Sequence, residues 1–373
     1  MKRIIVLGST GSVGTQTLQV IARHPQEFRV EGLVCYRNYE ALKKQQARFP
    51  SAWMGLLGTT VNGICCGEDV FRKIADADFD LLVVATTGIL SLQIVEDTLQ
   101  RGIDVALANK ELLITAGELL TGPHAGRILP VDSEHSAIWQ CTQFGEKLAD
   151  VEKIILTASG GSMLGKTREQ LQNVTPEQVL RHPNWSMGKK ITVDSATLMN
   201  KGFELMEAHH LFGLPMNRIE AVVHPQSIVH GLIRMKDGAF LAQLSSPDMK
   251  LPIQLALTYP KRLPCEVRPL DLTAQPLTFF PLERKQFPCF DLALLAAEKG
   301  GIYPTVLNAA NDVAVQAFLE EKISYLQIPE IISHAIHTYS SSAENKLSIQ
   351  WIIETNADVK RSTSEWLKRG ING

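Results

Sequence analysis

Two acidic side chains stand at i and i+2 in Pro130-Val131-Asp132-Ser133-Glu134-His135-Ser136. In an extended segment alternate side chains share a side, so Asp132 and Glu134 would offer hard oxygens to one Mg²⁺ or Mn²⁺ ion. The alternative is a cap, because Asp132 or Ser133 could open the helix that Ala137 to Cys141 suggests. Further along, Asn200, Glu204 and Glu207 fall at i, i+4 and i+7, a polar helical stripe that meets either solvent or a site. Ser195 near that helix start, with Asn200 and Lys201 after it, could donate to a phosphate where the helix dipole already favours anions. Ser159-Gly160-Gly161 offers another hydroxyl with exposed amides, although either serine could instead be a cap.

A second group of residues suits a dinucleotide. The run Gly8-Ser9-Thr10-Gly11-Ser12-Val13-Gly14 follows the strand-like Ile4 to Leu7 and leads into an apolar pattern at Val13, Thr17, Val20 and Ile21. Backbone amides and a helix N-terminus in such a turn face a pyrophosphate, and the alternative is a plain strand-to-helix turn. The next strand ends in Cys35-Tyr36-Arg37-Asn38 with no acid for a ribose hydroxyl, so Arg37 favours a 2′-phosphate and hence NADP unless it is merely solvated. Lys110, in Ala108-Asn109-Lys110-Glu111, ends another strand, where it could reach cofactor and substrate or pair with Glu111 or Glu118 in water. The loop His182 to Gly188 places Trp185 either as a lid that excludes water or as the cap of a core edge. His224 and His230 match no common zinc spacing and read as core or supporting histidines.

These groups need a scaffold, and 373 residues allow two or three domains. Strand-like runs at Ile4 to Leu7, Phe28 to Cys35, Leu81 to Ala85 and Val105 to Ala108 alternate with helical patterns. They predict an α/β fold whose residues 1–130 form a Rossmann-like parallel-sheet domain. Residues 131–258 read as a central α/β domain with strands at Lys153 to Thr157, Ile191 to Val193, Ala221 to His224 and Phe240 to Leu244. Prolines every few residues make 259–288 an extended linker, and 289–373 reads as a helical bundle. Lys plus Arg number 37 against 39 Asp plus Glu, so nothing pulls the chain generally toward nucleic acid or anionic lipid. Six cysteines without C-x-x-C spacing, no apolar run long enough for a membrane span, and no signal-like N-terminus predict a reduced, soluble, cytoplasmic protein.

In order and spacing these motifs, with Leu156-Thr157-Ala158-Ser159-Gly160-Gly161, His224 to Ser227, Ser246-Pro247-Asp248-Met249 and Leu307-Asn308-Ala309-Ala310-Asn311, resemble 1-deoxy-D-xylulose 5-phosphate reductoisomerases over essentially the whole chain. The resemblance implies an NADPH-dependent, Mg²⁺- or Mn²⁺-dependent enzyme that rearranges and then reduces a sugar phosphate, and it implies a homodimer. It implies metal ligands Asp132, Glu134 and Glu204, and phosphate ligands Ser159, Ser195, Asn200 and Lys201. His182 and Ser133 would touch the substrate backbone, and Lys110 would bridge cofactor and substrate, with Glu134 and Lys110 the candidates for proton transfer. Thr10, Gly11, Ser12, Val13, Tyr36, Arg37, Asn38, Asn109, Glu111 and Gly188 would lie along NADPH, and Trp185, Met187 and Met249 would form the lid. The chain departs from the family's usual residues at Tyr36 for Gly, Ala85-Thr86-Thr87 for Gly-Ala-Ala, Ser162 for Pro and Asp312 for Glu.

Overall fold

The computed structural model describes residues 1–370 except 123, 125, 186 and 341–345; Ser186 of the loop singled out above therefore lies outside the described residues. The apolar β-branched runs pair into a seven-stranded parallel sheet. Its strands are β1 (Lys2–Leu7), β2 (Phe28–Cys35), β3 (Trp53–Leu56), β4 (Cys65–Cys66), β5 (Leu81–Val84), β6 (Asp104–Leu107) and β7 (Ile128–Pro130), ordered β4-β3-β2-β1-β5-β6-β7. The order reverses at β1, so the crevice where such sheets take ligands opens beyond the carboxyl ends of β1 and β5. Gly8 leaves β1 at φ +79°, and a Cβ there or on Gly14 would strike backbone. The turn into the Ser12–Arg23 helix closes only with glycine at both positions.

A second sheet follows, ordered β11-β10-β8-β9-β12, from β8 (Val151–Ala158), β9 (Ile219–Val223), β10 (Val229–Met235), β11 (Phe240–Leu244) and β12 (Phe280–Pro281). Only β8 and β9 run parallel; the remaining pairs are antiparallel. In β10, a Cβ on Gly231 would sit 2.9 Å from Ile138 Cδ1 and 3.2 Å from Glu134 O. That glycine lets the strand lie close beneath the helix that carries Glu134. Residues 259–288 contain one short 3-10 turn, Arg284–Gln286, and the stretch is more than a spacer because Phe280 and Pro281 pair with Val223 and Val222 of β9.

One strand expectation fails. Ile191 to Val193 belongs to a helix, Lys189–Ala196. Its β-branched residues favour a strand locally, but Thr192 to Ala196 are all buried, so neither an amphipathic helical stripe nor alternation is visible. Burial of the element overrides its propensity. The Met199–Phe212 helix that follows is buried along most of its length, with Phe203 at 2% exposure, which puts its two glutamates in a low-dielectric interior. Four helices close the chain: Pro288–Lys299, Tyr303–Leu319, Gln327–Thr338 and Ile349–Arg369. Ile349 and Ile352 of the last pack into the same apolar cluster as Val105, Leu107 and Leu113 of the parallel-sheet half. No helix among the described residues is long and apolar enough to cross a membrane.

Candidate active site

A cavity of about 380 Å³ lies where the first sheet, the second sheet and the Lys189–Ala196 and Met199–Phe212 helices meet. All the residues expected to hold metal, substrate or lid line it: Lys110, Asp132, Ser133, Glu134, Ser159, His182, Trp185, Met187, Ser195, Asn200, Lys201, Glu204 and Met249. Ser12, Val13 and Gly188 of the expected cofactor set also line it. It is lined further by Asn184, Ser227, His230 and Asp248, which spacing alone did not single out as site residues. Their signal was their place inside motifs already noticed; which of their side chains face inward required the fold.

Asp132 and Glu134 reach the site differently from the extended arrangement expected. Asp132 caps the Ser133–Cys141 helix, its Oδ1 accepting from the Ser133 amide, and Glu134 lies in the first helical turn. The cap and the site are thus the same residue in two roles. One oxygen each from Asp132, Glu134 and Glu204 lies within 4.8 Å of the others. Asp132, His135 and Glu207 form a second group at the same spacing, but His135 and Glu207 do not line the cavity. The all-oxygen trio facing the cavity is therefore the set suited to a hard divalent cation.

Charge balance supports the same assignment. Lys110 Nζ contacts Asp132, lies 3.3 Å from Glu204 Oε1 and 3.6 Å from Glu207 Oε2, and Lys201 Nζ lies 2.9 Å from Glu134 Oε1 and contacts Glu204. Burial works against both ammoniums, yet the surrounding carboxylates outweigh it and keep Lys110 and Lys201 protonated beyond an ordinary lysine. His135 bonds Asp132 through Nδ1 at 3.1 Å and the Glu204 carbonyl through Nε2 at 2.9 Å. Burial lowers its pKa, but Glu207 and Asp132 raise it to about 9. Glu204, 1% exposed, is pushed up by burial and by Glu134, and Glu207 is pushed up by burial to about 7. Behind the wall Glu207 faces Lys110 and the protonated His135, while the three carboxylates that line the cavity share only the two lysine ammoniums, which leaves anionic capacity at the wall. These residues fit a divalent cation.

Beside the acids sit the expected anion donors. Gly160 and Gly161 follow β8 at positive φ, and Gly161 N donates to Ser159 Oγ at 3.2 Å. Ser195 occupies the last turn of the Lys189–Ala196 helix, rather than a helix start, and Leu198 in the left-handed region turns the chain into the next helix. Asn200 donates to Glu204 Oε1 at 2.5 Å. His182 Nδ1 accepts from the Asn184 and Trp185 amides, at 3.2 and 3.0 Å, so the ring proton lies on Nε2, 3.0 Å from Ser159 Oγ. Burial lowers the His182 pKa, which favours that neutral donor form. Asn184 ties the loop to the second sheet by donating to Pro225 O and Ser227 Oγ at 2.6 and 2.9 Å.

The remaining expected cofactor residues divide. Thr10 and Gly11 form the turn between β1 and its helix. Tyr36 and Arg37 are exposed past the end of β2; the Tyr36 ring lies where a Cβ on Gly58 would fall, and the Arg37 guanidinium sits 4.9 Å from the ring centroid. A glycine at 58 thus makes room for tyrosine where the resembled family has glycine at 36. Asn38 and Asn109 spend side-chain oxygens as caps, accepting from the Ala41 and Leu112 amides at 3.1 Å each. Asn109 also donates to Thr86 Oγ1 at 3.2 Å, which gives the departing threonine a structural partner. The Glu111 carboxylate lies 3.4 Å from Lys190 Nζ.

The family models that match the chain all describe one family. Models described as 1-deoxy-D-xylulose 5-phosphate reductoisomerase match residues 4–117, and those for its C-terminal domains match 128–212 and 244–362. A 1-deoxy-D-xylulose 5-phosphate reductoisomerase of Geobacillus sp. (strain WCH70) is 45% identical over 378 residues, 97% of this chain and 98% of that one. The corresponding protein of Desulfitobacterium hafniense (strain Y51) is 45% identical over 344 residues, 88% of this chain and 90% of the relative. A solved DOX-P reductoisomerase in complex with NADPH, fosmidomycin and magnesium superposes with a TM-score of 0.91 at 35% identity, covering 99% of this chain and 98% of that one. The Zymomonas mobilis enzyme in complex with NADPH gives 0.90 at 34%, covering 98% and 99%.

Proposed function

The chain belongs to the 1-deoxy-D-xylulose 5-phosphate reductoisomerase family, and from that premise we propose how its own residues carry the activity. It is an NADPH- and divalent-metal-dependent enzyme that isomerises and reduces 1-deoxy-D-xylulose 5-phosphate to 2-C-methyl-D-erythritol 4-phosphate. The observation that carries the assignment of roles is the convergence of three carboxylates, two lysines and a set of anion donors on one cavity beside the β1 crevice.

Asp132, Glu134 and Glu204 hold the cation, and the glycine turn with Tyr36 and Arg37 holds the dinucleotide. When bound, the cation supplies Lewis-acid stabilisation of negative charge developing on the substrate, and NADPH supplies the hydride. Ser159, Ser195, Asn200 and Lys201 take the phosphate, whose binding energy serves orientation and closure. Lys201 does this by releasing at least one of the two carboxylates its ammonium contacts. His182 presents an Nε2 proton to a substrate oxygen and Ser133 a hydroxyl beside Glu134. Lys110, held protonated by the acids around it, lies between them and the cofactor side, where it is placed to give a proton to the substrate and Glu134 to accept one. Trp185, Met187 and Met249 close over the cavity and exclude water.

The test is NADPH oxidation on adding 1-deoxy-D-xylulose 5-phosphate to metal-stripped protein, with and without restored Mg²⁺ or Mn²⁺. Oxidation that needs both the sugar phosphate and the cation supports the reading; oxidation indifferent to the cation overturns the carboxylate assignment.

The same reading includes a cytoplasmic homodimer. All six cysteines are unpaired, as suits a reducing compartment. Edge strand β11 exposes Phe240 and Leu241, an apolar edge of the kind that a second copy covers. Leu241→Lys is expected to shift the protein from dimer toward monomer in sedimentation velocity. An unchanged dimer would place the interface elsewhere.

A further inference from the structure

The four C-terminal helices supply no residue to the cavity wall: among the described residues, its lining ends at Met249. They nevertheless hold one element of that wall at both ends. The Lys189–Ala196 helix carries Ser195 and follows directly on Met187 and Gly188, with Gly188 as its N-terminal boundary. At its far end Tyr325, in the connection between the Tyr303–Leu319 and Gln327–Thr338 helices, donates to the Ala196 carbonyl at 2.7 Å. At its near end Lys190 sits in the first turn, the end where a cation is disfavoured by the helix dipole, so its charge is not there for the helix.

Its partners explain the placement. Lys190 Nζ lies 3.4 Å from Glu111 Oε1 in the parallel-sheet half, 3.0 Å from Asp194 Oδ2 in its own helix, and 3.4 Å from Asp312 Oδ1 in the Tyr303–Leu319 helix. Asn311 fixes the other Asp194 oxygen with a 2.8 Å bond, and Lys360 pairs with Asp312 from the outside at 2.6 Å. Asp194 and Asn311 are buried, so the Asp194 carboxylate depends on Lys190 and Asn311, while the bridge reaches solvent along the Lys190 side chain. The ammonium also lies 5.7 Å from the centroid of Phe203, the residue before Glu204. Glu111 in turn adjoins Lys110, whose ammonium lies among the site acids. One cation therefore joins the segment after β6, the helix behind the lid loop, and the C-terminal helices.

We propose that Lys190 is a positioning residue: by bridging Glu111, Asp194 and Asp312 it sets the Ser195 helix and the lid loop against Lys110 and the cofactor turn, and through it the C-terminal helices act on a site they do not touch. Asp312, standing where the family usually has glutamate, is the C-terminal side of that bridge. The proposal rests on the functional reading above for its kinetic readout, and on NADPH affinity where that reading is not needed.

The test compares Lys190→Met, Lys190→Arg and Lys360→Met in the full-length enzyme. Lys190→Met is expected to raise KM for the sugar phosphate and lower kcat so that kcat/KM falls about a hundredfold, as misplacement by about an ångström does, and to weaken NADPH binding severalfold in fluorescence titration. Lys190→Arg keeps the charge and recovers most of the loss. Lys360→Met breaks only the outer pair and leaves both kinetic constants within about twofold of wild type, as removal of an exposed ion pair should. A Lys190→Met enzyme with lowered melting temperature but unchanged kcat, KM and NADPH affinity overturns the proposal, since that is the signature of a purely structural ion pair. Should Lys190→Met not fold, Asp312→Asn gives the same kinetic split with one carboxylate removed, and an unchanged split again overturns it. If the wild-type protein fails to turn over the sugar phosphate, the functional reading falls by itself. Lys190 is then judged on NADPH affinity: weakened in the methionine variant and restored in the arginine variant supports the bridge, and unchanged rejects it.

Discussion

Glu204→Gln is expected to cut NADPH oxidation by about a thousandfold or more, the scale on which removing a preorganised charge from a buried site acts. The substitution keeps volume and shape and deletes one negative charge. Glu204 is the hub of the acid cluster: its two carboxylate oxygens meet Lys110, Lys201 and Asn200, and its own backbone carbonyl receives His135. With glutamine there, the trio offers two charges to a cation where it had three, and the Lys110 and Lys201 ammoniums shift their weight onto Asp132 and Glu134, competing more strongly for the same oxygens. Cation affinity and rate should fall together, measured by Mn²⁺ titration and by steady-state kinetics over a range of metal concentrations. The fold should survive, because an amide can still hydrogen-bond Asn200 and the variant leaves one fewer buried anion to satisfy. A variant with wild-type turnover and an unchanged metal requirement would remove Glu204 from the proposed ligand set.

The second large effect is expected at the glycine turn, and it separates fold from cofactor. A Cβ on Gly14 would sit 2.2 Å from Gly8 O and 2.7 Å from Ser9 Cα, both backbone atoms that no rotamer change can move aside. Gly14→Ala must therefore open the turn between β1 and its helix. Overpacking of this kind costs about 1–3 kcal/mol, and the amides proposed to bind the pyrophosphate move with the backbone, so NADPH affinity should drop at least about a hundredfold. At Gly11 the tightest contact is 3.3 Å, to Gly8 O, and φ is an ordinary −75°, so Gly11→Ala asks the turn to give by only a few tenths of an ångström. What it obstructs is the close approach of a pyrophosphate to the backbone. The expected pattern is a lowered melting temperature with lost NADPH binding for Gly14→Ala, and lost NADPH binding with a much smaller drop in melting temperature for Gly11→Ala. Tight NADPH binding by both variants would show that the dinucleotide does not lie on this turn.

Much of this protein was legible in its residues because the relevant physics is local. Gly8 and Gly14 announce a turn whose backbone needs them, and apolar runs such as Ile4 to Leu7 announce buried parallel strands, since burial on both faces leaves no polar alternation. The Asp132–Glu134 pair and the Asn200–Glu204–Glu207 stripe could be seen as sites or as caps and solvated faces, and the residues alone left that choice open. Tertiary structure decided it: the Met199–Phe212 helix is buried, so Glu204 and Glu207 face lysines across the interior instead of water. Long-range placement decided the rest too. Ile191 to Val193 is a helix because its neighbours bury it; Asn38 and Asn109 cap helices because those helices begin beside them; Lys190 finds partners 79 residues before it and beyond Asn311. Spacing along a chain determines which side chains share one helix or strand face. Which faces then meet depends on how whole elements pack, and that depends on the summed burial of all of them at once.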